Sequence, residues 1–414
     1  MSKIISVTAE EVTDSRGNPT VKAIVETDRG DFFAMAPSGA STGKNEALEL
    51  RDADGKGVKI AIENVNKIIS PKLKGKNPEN QKEIDGLMIE LDGTENKSKL
   101  GANAILSVSM AVCRAGADAK KIPLYQYIAE LSANKEKIFS PLPMFNILNG
   151  GAHVRKTPTK GGATDKLDIQ EFMIIPYKKT MQENLILCND IFLKLKEIIK
   201  SNFGEDCLDL GDEGGFAPPI KKSEQALFLL KSASELYSKD VKLALDCAAS
   251  EFYKNGKYIL EGQEMNRSQL TDFYKNLIKE FPITSIEDPF SEDDWQGFEE
   301  ITNGLGKEII IVGDDLTTTN IKRIKEAHNK KAINAVLIKL NQIGTVSETI
   351  DAISMTKSYG WKVIVSHRSG ETMDDFIADL AVGVGADFIK AGSPAKEERM
   401  VKYQRVIEIE KEIT

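Results

Sequence analysis

The chain has 414 residues, too many for one ordinary domain, and a barrel of about 250 residues with a second domain would fill it. Its composition, 41% hydrophobic and 29% charged, is that of a globular protein, and no apolar run approaches the roughly 18 residues of a membrane span. The net charge of −8 argues against a nucleic-acid-binding protein, because neutralising phosphates needs a basic face. With scattered cysteines and no signal-peptide pattern at the start, we expect a cytoplasmic protein.

The first part of the chain predicts a sheet followed by helices. Strands are expected over 5–12, 21–26 and 32–36, and helices over 60–69, 102–119 and 124–131. Strands first and helices after them indicate an α+β domain, which we assign to residues 1–134. Pro141 and Pro143 mark the boundary.

From residue 135 to residue 414, short apolar runs alternate with helical stretches such as 182–200. The runs are rich in β-branched residues, as buried parallel strands are, and they cover 241–246, 283–287, 309–315, 336–339, 363–366 and 388–390. This alternation predicts an α/β barrel of the TIM type over 135–414, with its chemistry at the C-terminal ends of the strands.

Three carboxylates end successive runs: Asp246, Glu287 and Asp314. Oxygen ligands without histidine or cysteine favour Mg²⁺ over zinc. The alternative is that each carboxylate caps the helix that follows it. Capping does not require three carboxylates to converge, so we favour a metal site.

Two lysines, Lys339 and Lys390, end apolar runs in the same way. A partly desolvated lysine near a metal has its ammonium form disfavoured, which suits it to act as a base. Alone, either residue would be read as a lysine whose ammonium reaches solvent from the barrel rim. The pair, facing the carboxylates, indicates a functional site.

Further candidates lie on loops. Arg368 has the planar fork that binds carboxylate or phosphate, unless it forms a structural ion pair, and Ser369 adds a hydroxyl beside it. His367 is one of only three histidines and is a candidate for substrate contact. Glu213 lies in the glycine-rich turn 211–216, and loop 38–43 either touches phosphate or is merely flexible. The polar segment 154–166 has no helical or strand period, and we expect a mobile loop there.

Taken together, these segments resemble the enolase family along essentially the whole chain. The matching stretches occur in family order and are 15–19 (SRGNP), 37–43 (PSGASTG), 149–153 (NGGAH), 211–215 (GDEGG), 285–289 (SIEDP), 313–316 (GDDL), 337–344 (LIKLNQIG), 366–372 (SHRSGET) and 390–394 (KAGSP).

The resemblance implies a hydro-lyase that dehydrates 2-phosphoglycerate to phosphoenolpyruvate. Lys339 would remove the C2 proton and Glu213 would protonate the leaving hydroxyl, roles that are carried over from the resemblance. One Mg²⁺ would bind Asp246, Glu287 and Asp314, and a second would arrive with the substrate at Ser41. The residues implied to bind substrate are His153, Gln170, Glu171, His367, Arg368, Ser369 and Lys390.

The resemblance also implies an atypical barrel that opens with two strands and two helices, and a homodimer or larger homo-oligomer. A secondary cell-surface or secreted pool is a further implication. One departure is that the stretch from His153 to Glu171 is about twice as long as in the family, so segment 154–166 could alter closure over the substrate. Two alternatives remain: a Schiff-base lyase that uses Lys339 without metal, and a binding protein of enolase fold with an altered loop 154–166.

Overall fold

An antiparallel sheet of three strands opens the chain in this computed structural model, which describes residues 2–39, 43–134, 138–154 and 166–413. The strands are paired in chain order. The elements of this part are β1 Ile4–Thr13, β2 Pro19–Thr27, β3 Gly30–Met35, α1 Lys59–Asn64, α2 Ser70–Leu73, α3 Gln81–Asp92, α4 Ala102–Lys120 and α5 Leu124–Leu131.

Helix α4 is the centre of the N-terminal part because nearly all its residues are buried. Its alanines and serines are small enough to let β2 and β3 pack closely against it. The predicted helix 60–69 is partly wrong, since a π-helical turn, Val65–Ile69, separates α1 from α2. Pro71, which lacks an N–H group for the α-helical ladder, is the second residue of α2, just after this turn. Helix α3 was not predicted.

The remaining strands are β4 Leu142–Asn149, β5 Glu171–Ile175, β6 Lys242–Asp246, β7 Tyr253–Lys254, β8 Lys257–Leu260, β9 Gln263–Met265, β10 Ile283–Glu287, β11 Ile310–Gly313, β12 Ala335–Ile338, β13 Lys362–Ser366 and β14 Phe388–Lys390. The remaining α-helices are α6 Met181–Phe203, α7 Ser223–Ser234, α8 Arg267–Glu280, α9 Trp295–Leu305, α10 Ile321–Lys330, α11 Leu340–Ile343, α12 Val346–Ser358, α13 Phe376–Gly383 and α14 Glu397–Ile413.

Eight of these strands close a barrel in the order β4, β5, β6, β10, β11, β12, β13, β14. Strand β5 is antiparallel to both of its neighbours, whereas the other pairs are parallel. Helices α6 and α7 both lie between β5 and β6 in the chain, so the barrel opens with two strands and two helices. The predicted α/β barrel and its atypical opening are therefore confirmed. The interior is filled by side chains such as Met173, Val312 and Leu337, so the barrel is a packed core.

The N-terminal part reaches the barrel mouth by backbone and ionic contacts. Ser38 and Gly370 exchange two backbone hydrogen bonds of 2.8 and 2.9 Å. Arg114 of α4 binds both carboxylate oxygens of Asp374 at 2.9 Å and one oxygen of Asp375 at 2.8 Å. These contacts connect the sheet domain to the loops at the C-terminal ends of the strands.

Strands β7, β8 and β9 form a small separate sheet after β6 that was not predicted. The expected mobile loop 154–166 lies outside the described residues except for its two ends. Among the helices that the structure describes, none combines the length and apolarity needed to cross a membrane.

Candidate active site

The ends of neighbouring strands bring Asp246 and Glu287 side by side. The two residues end β6 and β10 and are opposite each other in the parallel pairing. The Nζ atom of Lys390, which ends β14, lies 3.0 Å from Asp246 Oδ2 and 2.8 Å from Glu287 Oε2. It also lies 3.3 Å from Glu171 Oε2 on β5. One buried ammonium group therefore faces three buried carboxyl groups.

This excess of carboxyl groups moves their pKa values apart. Burial and the neighbouring Asp246 raise the pKa of Glu287 well above its ordinary value. Burial would also raise the pKa of Asp246, but Lys390 outweighs it and the pKa is lowered. For Lys390, burial would lower the pKa, but the surrounding carboxylates outweigh it and raise the pKa well above its usual range. The single lysine thus cannot keep all three surrounding carboxyl groups ionised, and a bound cation would supply the missing positive charge.

The third predicted ligand, Asp314, directly follows β11, the strand that pairs with β10. It accepts a short hydrogen bond from Lys339 Nζ and a 2.8 Å bond from Gln342 Nε2. The carboxylate of Asp288 accepts the backbone N–H groups of Asp314 and Asp315 at 3.0 and 2.8 Å and so fixes the turn. Asp314 is thereby held at the cleft beside the predicted base.

Two groups of side chains in the described ranges bring possible metal ligands within 4.8 Å of one another. One group is Asp288, Asp314 and Asp315, and the other is His153, Glu171 and Glu213. The predicted set of Asp246, Glu287 and Asp314 is not one of these groups. Lys390 contacts the first two of these residues and Lys339 contacts the third.

The donor chemistry of the predicted set nevertheless fits a hard divalent cation. Asp246, Glu287 and Asp314 are 4%, 1% and 6% exposed, so a negative charge on any of them is poorly solvated and needs a counter-charge. Ser41, the residue predicted for a second ion, lies outside the described residues.

Lys339, which follows β12, has an electrostatic environment opposite to the one expected for a base. Burial would lower the pKa of its ammonium group, but the Asp314 carboxylate outweighs burial and raises the pKa. Its backbone N–H donates to Thr319 Oγ1 at 3.0 Å, which fixes the chain at this point. Lys339 can therefore act as a base only when the charge of Asp314 is taken up by another cation.

Glu213 lies on a tight turn in which Gly215 leaves no room for a side chain and Gly214 has a backbone conformation that favours glycine. A Cβ atom on Gly215 would lie 2.6 Å from Asn149 Oδ1 and 2.8 Å from Leu148 N, and Gly214 has a φ of +88°. Close packing of this turn against β4 presents Glu213 to the cleft, where its carboxylate accepts a 2.9 Å hydrogen bond from Asn146 Nδ2.

Two histidines flank Glu213. His367 Nε2 lies 3.3 Å from Glu213 Oε2, and His153 Nε2 lies 3.7 Å from Glu213 Oε1. Burial would raise the pKa of Glu213, but His153, His367 and the guanidinium of Arg399 outweigh it, and the pKa lies well below its ordinary value. Glu213 is consequently held as a carboxylate by its surroundings.

Glu171 has the opposite tendency. Burial and the charge of Glu213 raise the pKa of Glu171 well above its ordinary value. His153 lies between the two carboxyl groups, because its Nδ1 is 3.7 Å from Glu171 Oε1. Burial lowers the pKa of His153, which favours a neutral ring. The adjacent Gln170 places its Nε2 atom 3.5 Å from Asp246 Oδ2.

Arg368 is engaged by partners that were not predicted. Its Nη1 atom donates to Glu46 Oε2 at 2.8 Å and to Asn341 Oδ1 at 3.0 Å. Glu46 comes from the N-terminal part and also accepts the N–H of Gly43 at 3.0 Å, at the end of the predicted loop 38–43. A structural ion pair of Arg368 therefore exists, and Glu46 couples it to that loop. Ser369 is buried beside Arg368 at the cleft.

A single cleft collects these side chains. The predicted site residues within the described ranges all line it apart from Glu287, which Lys390 contacts. Sequence reasoning missed Glu46, Asn146, Gln342 and Arg399, which support the site from distant parts of the chain. Gln342 lies within the stretch 337–344, and Asn146 lies three residues before the stretch 149–153, so these two motifs could have indicated them.

Comparison with known protein families gives two matches. The model described as the enolase N-terminal domain matches residues 4–128. The model described as the enolase C-terminal TIM barrel domain matches residues 137–414. The matched ranges correspond to the three-stranded sheet with its helices and to the closed barrel.

Proposed function

The chain belongs to the enolase family, and from this membership and the site we propose that it is a phosphopyruvate hydratase. It would convert 2-phospho-D-glycerate and phosphoenolpyruvate into each other, with Mg²⁺ as cofactor. The observation that carries this proposal is a continuous set of charges in one cleft. Lys339 and Asp314 lie at one end of this set and Glu213 at the other. Between them lies Lys390 with the carboxyl groups that it contacts.

The reaction needs a base for a weakly acidic proton. Removing the C2 proton puts a second negative charge on the substrate carboxylate, and this charge is the main barrier. Lys339 would accept the proton at Nζ. Lys390, whose ammonium form is strongly favoured, would stabilise the negative charge that develops.

Loss of the C3 hydroxyl needs an acid. Glu213 is the proposed donor, but its surroundings favour the carboxylate, so it must first receive a proton. Glu171 is the nearby carboxyl group that favours the protonated form, and His153 lies between them at 3.7 Å from each. Once these two gaps close to hydrogen-bond distance, a proton would pass from Glu171 to His153 Nδ1 while His153 Nε2 gives its proton to Glu213.

We propose Asp246, Glu287 and Asp314 as ligands of one Mg²⁺ ion, with a second ion bound at Ser41 together with the substrate. When bound, the ions supply positive charge at the substrate carboxylate and so lower the free energy of the doubly charged intermediate. By occupying Asp314, a cation would also remove the carboxylate charge that keeps Lys339 protonated. Arg368 and Ser369 are the proposed phosphate ligands, and His153, Gln170, Glu171 and His367 complete the proposed substrate pocket.

Family membership is also the basis for proposing the domain boundary, the oligomeric state and the location. We propose that the two domains divide between residues 134 and 135, and that the protein is a homodimer or larger homo-oligomer in the cytoplasm. The proposed division falls in the interval between the two matched ranges.

The test is the ultraviolet absorbance of phosphoenolpyruvate formed from 2-phosphoglycerate, measured during a Mg²⁺ titration. We expect turnover that requires Mg²⁺ and stops with EDTA. Turnover that continues in EDTA and is trapped by borohydride would support the Schiff-base lyase instead. A folded, Mg²⁺-loaded protein without turnover would support the binding-protein alternative.

A further inference from the structure

Arg399 of α14 is a fully buried guanidinium behind the active site. It is 0% exposed, and its Nη1 atom lies 2.6 Å from His367 Nδ1. Nη1 also donates to the carbonyl oxygen of Arg368 at 2.5 Å, and Nη2 donates to the carbonyl oxygen of Ser369 at 2.7 Å. A longer bond of 3.3 Å reaches the carbonyl oxygen of Asp212, next to Glu213. Arg399 therefore touches the backbone of both loops that carry the acid side of the site.

The short contact with His367 determines where the imidazole proton lies. A guanidinium has only donors, so the contact of 2.6 Å requires a lone pair on His367 Nδ1. The proton of the neutral ring must then be on Nε2. Nε2 is the atom that lies 3.3 Å from Glu213 Oε2. The ring thus receives a hydrogen bond at Nδ1 and carries its own N–H group at Nε2, which is buried 3.3 Å from the carboxylate but outside hydrogen-bond geometry to any described group.

The charged groups around His367 are Glu213 on the turn 211–216, Arg399 on α14, and Glu371 on the loop that carries His367 itself. Glu213 and Glu371 are acidic and would favour a protonated ring, whereas Arg399 opposes it. Glu371 is itself paired with Lys402 at 2.8 Å. Burial and Arg399 together outweigh the acids and lower the pKa of His367 to about 4. A neutral ring is consistent with the hydrogen-bond geometry.

We propose that Arg399 is a positioning residue that fixes His367 as the neutral Nε2–H tautomer and so keeps the N–H group on the side of the ring that faces Glu213. Because Nδ1 is occupied by a cation, His367 cannot take up the proton that Glu213 must deliver to the leaving hydroxyl. The catalytic part of this inference rests on the proposed function, whereas the tautomer does not.

The first experiment is nitrogen NMR of the full-length protein with ¹⁵N-labelled histidine. The chain has three histidines, and a His328→Gln and a His367→Gln variant assign the signals. We expect His367 to show an unprotonated Nδ1 and a protonated Nε2 from about pH 5.5 to about pH 8.5, a range that spans the ordinary histidine pKa of about 6.5. A protonated Nδ1 of His367 in the wild-type protein would overturn the proposal, and this result does not depend on the folding of any Arg399 variant.

The second experiment compares Arg399→Met with Arg405→Met. Arg405 lies on the same helix but pairs with Asp379 and not with His367. Its variant therefore controls for the loss of an ion-paired arginine from α14. We expect Arg399→Met to give His367 a mixed tautomer or a titration in the neutral range, and to lower kcat by roughly tenfold or more while KM changes less. Its pH–rate profile should gain an ionisation that Arg405→Met lacks.

Arg399→Lys separates charge from geometry, since a lysine keeps the charge but not the planar fork. We expect it to keep His367 neutral but to recover only part of kcat. A folded Arg399→Met variant with unchanged histidine signals and an unchanged pH profile would refute the positioning role. If the wild-type tautomer is as expected but 2-phosphoglycerate is not dehydrated, the proposed function fails and the assigned tautomer still stands.

Discussion

At the scale of single residues, the site is governed by how few cations balance many buried carboxylates. Lys390 is 2% exposed and contacts Asp246, Glu287 and Glu171, so its removal would leave these groups without their nearest counter-charge. Removing one partner of a buried ion pair typically costs more than the pair itself contributes, since the other charge stays buried.

We therefore expect Lys390→Met to lower the free energy of unfolding by about 3–5 kcal/mol, measured with urea in EDTA. Lys67→Met is the control, because Lys67 forms an exposed pair with Glu63 whose loss should cost at most about 0.5 kcal/mol. Equal losses in the two variants would contradict the role given to Lys390.

Lys339 gives a prediction on activity. Removing a general base typically costs about 10²–10⁴ in rate, so Lys339→Ala should lose dehydration by at least about 10²-fold while remaining folded. Lys325→Ala, on the exposed face of α10, is the matched control and should keep normal turnover. Near-normal turnover in Lys339→Ala would contradict its assignment as base.

Single residues also mark the limit of what the sequence could reveal. Lys339, Lys390 and the three carboxylates were found because each ends an apolar strand and therefore lies at the barrel mouth. Arg399 and Glu46 were missed because they come from a helix and a loop with no pattern of their own. The raised pKa of Lys339 was also missed, since it depends on a contact with Asp314 that no spacing reveals.

At the scale of elements, the turn 211–215 determines the position of Glu213, the proposed acid. Gly215→Ala would bring a Cβ atom to 2.6 Å from Asn149 Oδ1 and 2.8 Å from Leu148 N, so the turn or β4 must shift. We expect a loss of stability of about 1–3 kcal/mol and a fall in kcat, because Glu213 moves with the turn. Both are measured by urea unfolding and the absorbance assay.

Gly304→Ala is the matched control for this prediction. Gly304 lies in α9, and an added Cβ would meet nothing within 4 Å. Since alanine favours a helix over glycine, the control should gain roughly 0.5–1 kcal/mol and keep its activity. If Gly215→Ala behaved like Gly304→Ala, the packing account of the turn would be wrong.

The elements differ in how well they could be predicted. Six barrel strands, β6 and β10 to β14, were predictable because they are buried on both faces and appear as apolar runs. Strands β4 and β5 were not predicted as strands, although they are equally buried. Strands β7, β8 and β9 have two to four residues and largely exposed side chains, so they lack such a signal. The opening of the barrel with antiparallel β5 depends on tertiary pairing and came only from the family resemblance.

At the scale of the whole molecule, ionic contacts hold the N-terminal part over the barrel mouth. Burial would raise the pKa of Asp374, but Arg114 outweighs it and the pKa is lowered. A carboxyl group with a lowered folded pKa stabilises the protein above its unfolded pKa of about 3.9, and this stabilisation is lost as the pH falls through the folded value.

We expect Arg114→Met to destabilise the protein by about 3 kcal/mol at pH 7, because Asp374 is left buried and unpaired. Without Arg114 the pKa of Asp374 should rise, so the variant can relieve the charge by protonation as the pH falls. The difference from wild type should therefore shrink from pH 7 to pH 4, as measured by urea unfolding. A difference that stays constant over this range would contradict the role of the ion pair.

The division of labour between Lys339 and Glu213 is the central claim, and Glu213→Gln tests it most directly. In D₂O with Mg²⁺ and 2-phosphoglycerate, exchange of the C2 proton is followed by NMR while phosphoenolpyruvate is followed by absorbance. We predict that Glu213→Gln loses dehydration but retains C2 exchange, and that Lys339→Ala loses both. Loss of C2 exchange in Glu213→Gln would contradict the division of roles, and exchange retained in Lys339→Ala would contradict the assignment of the base.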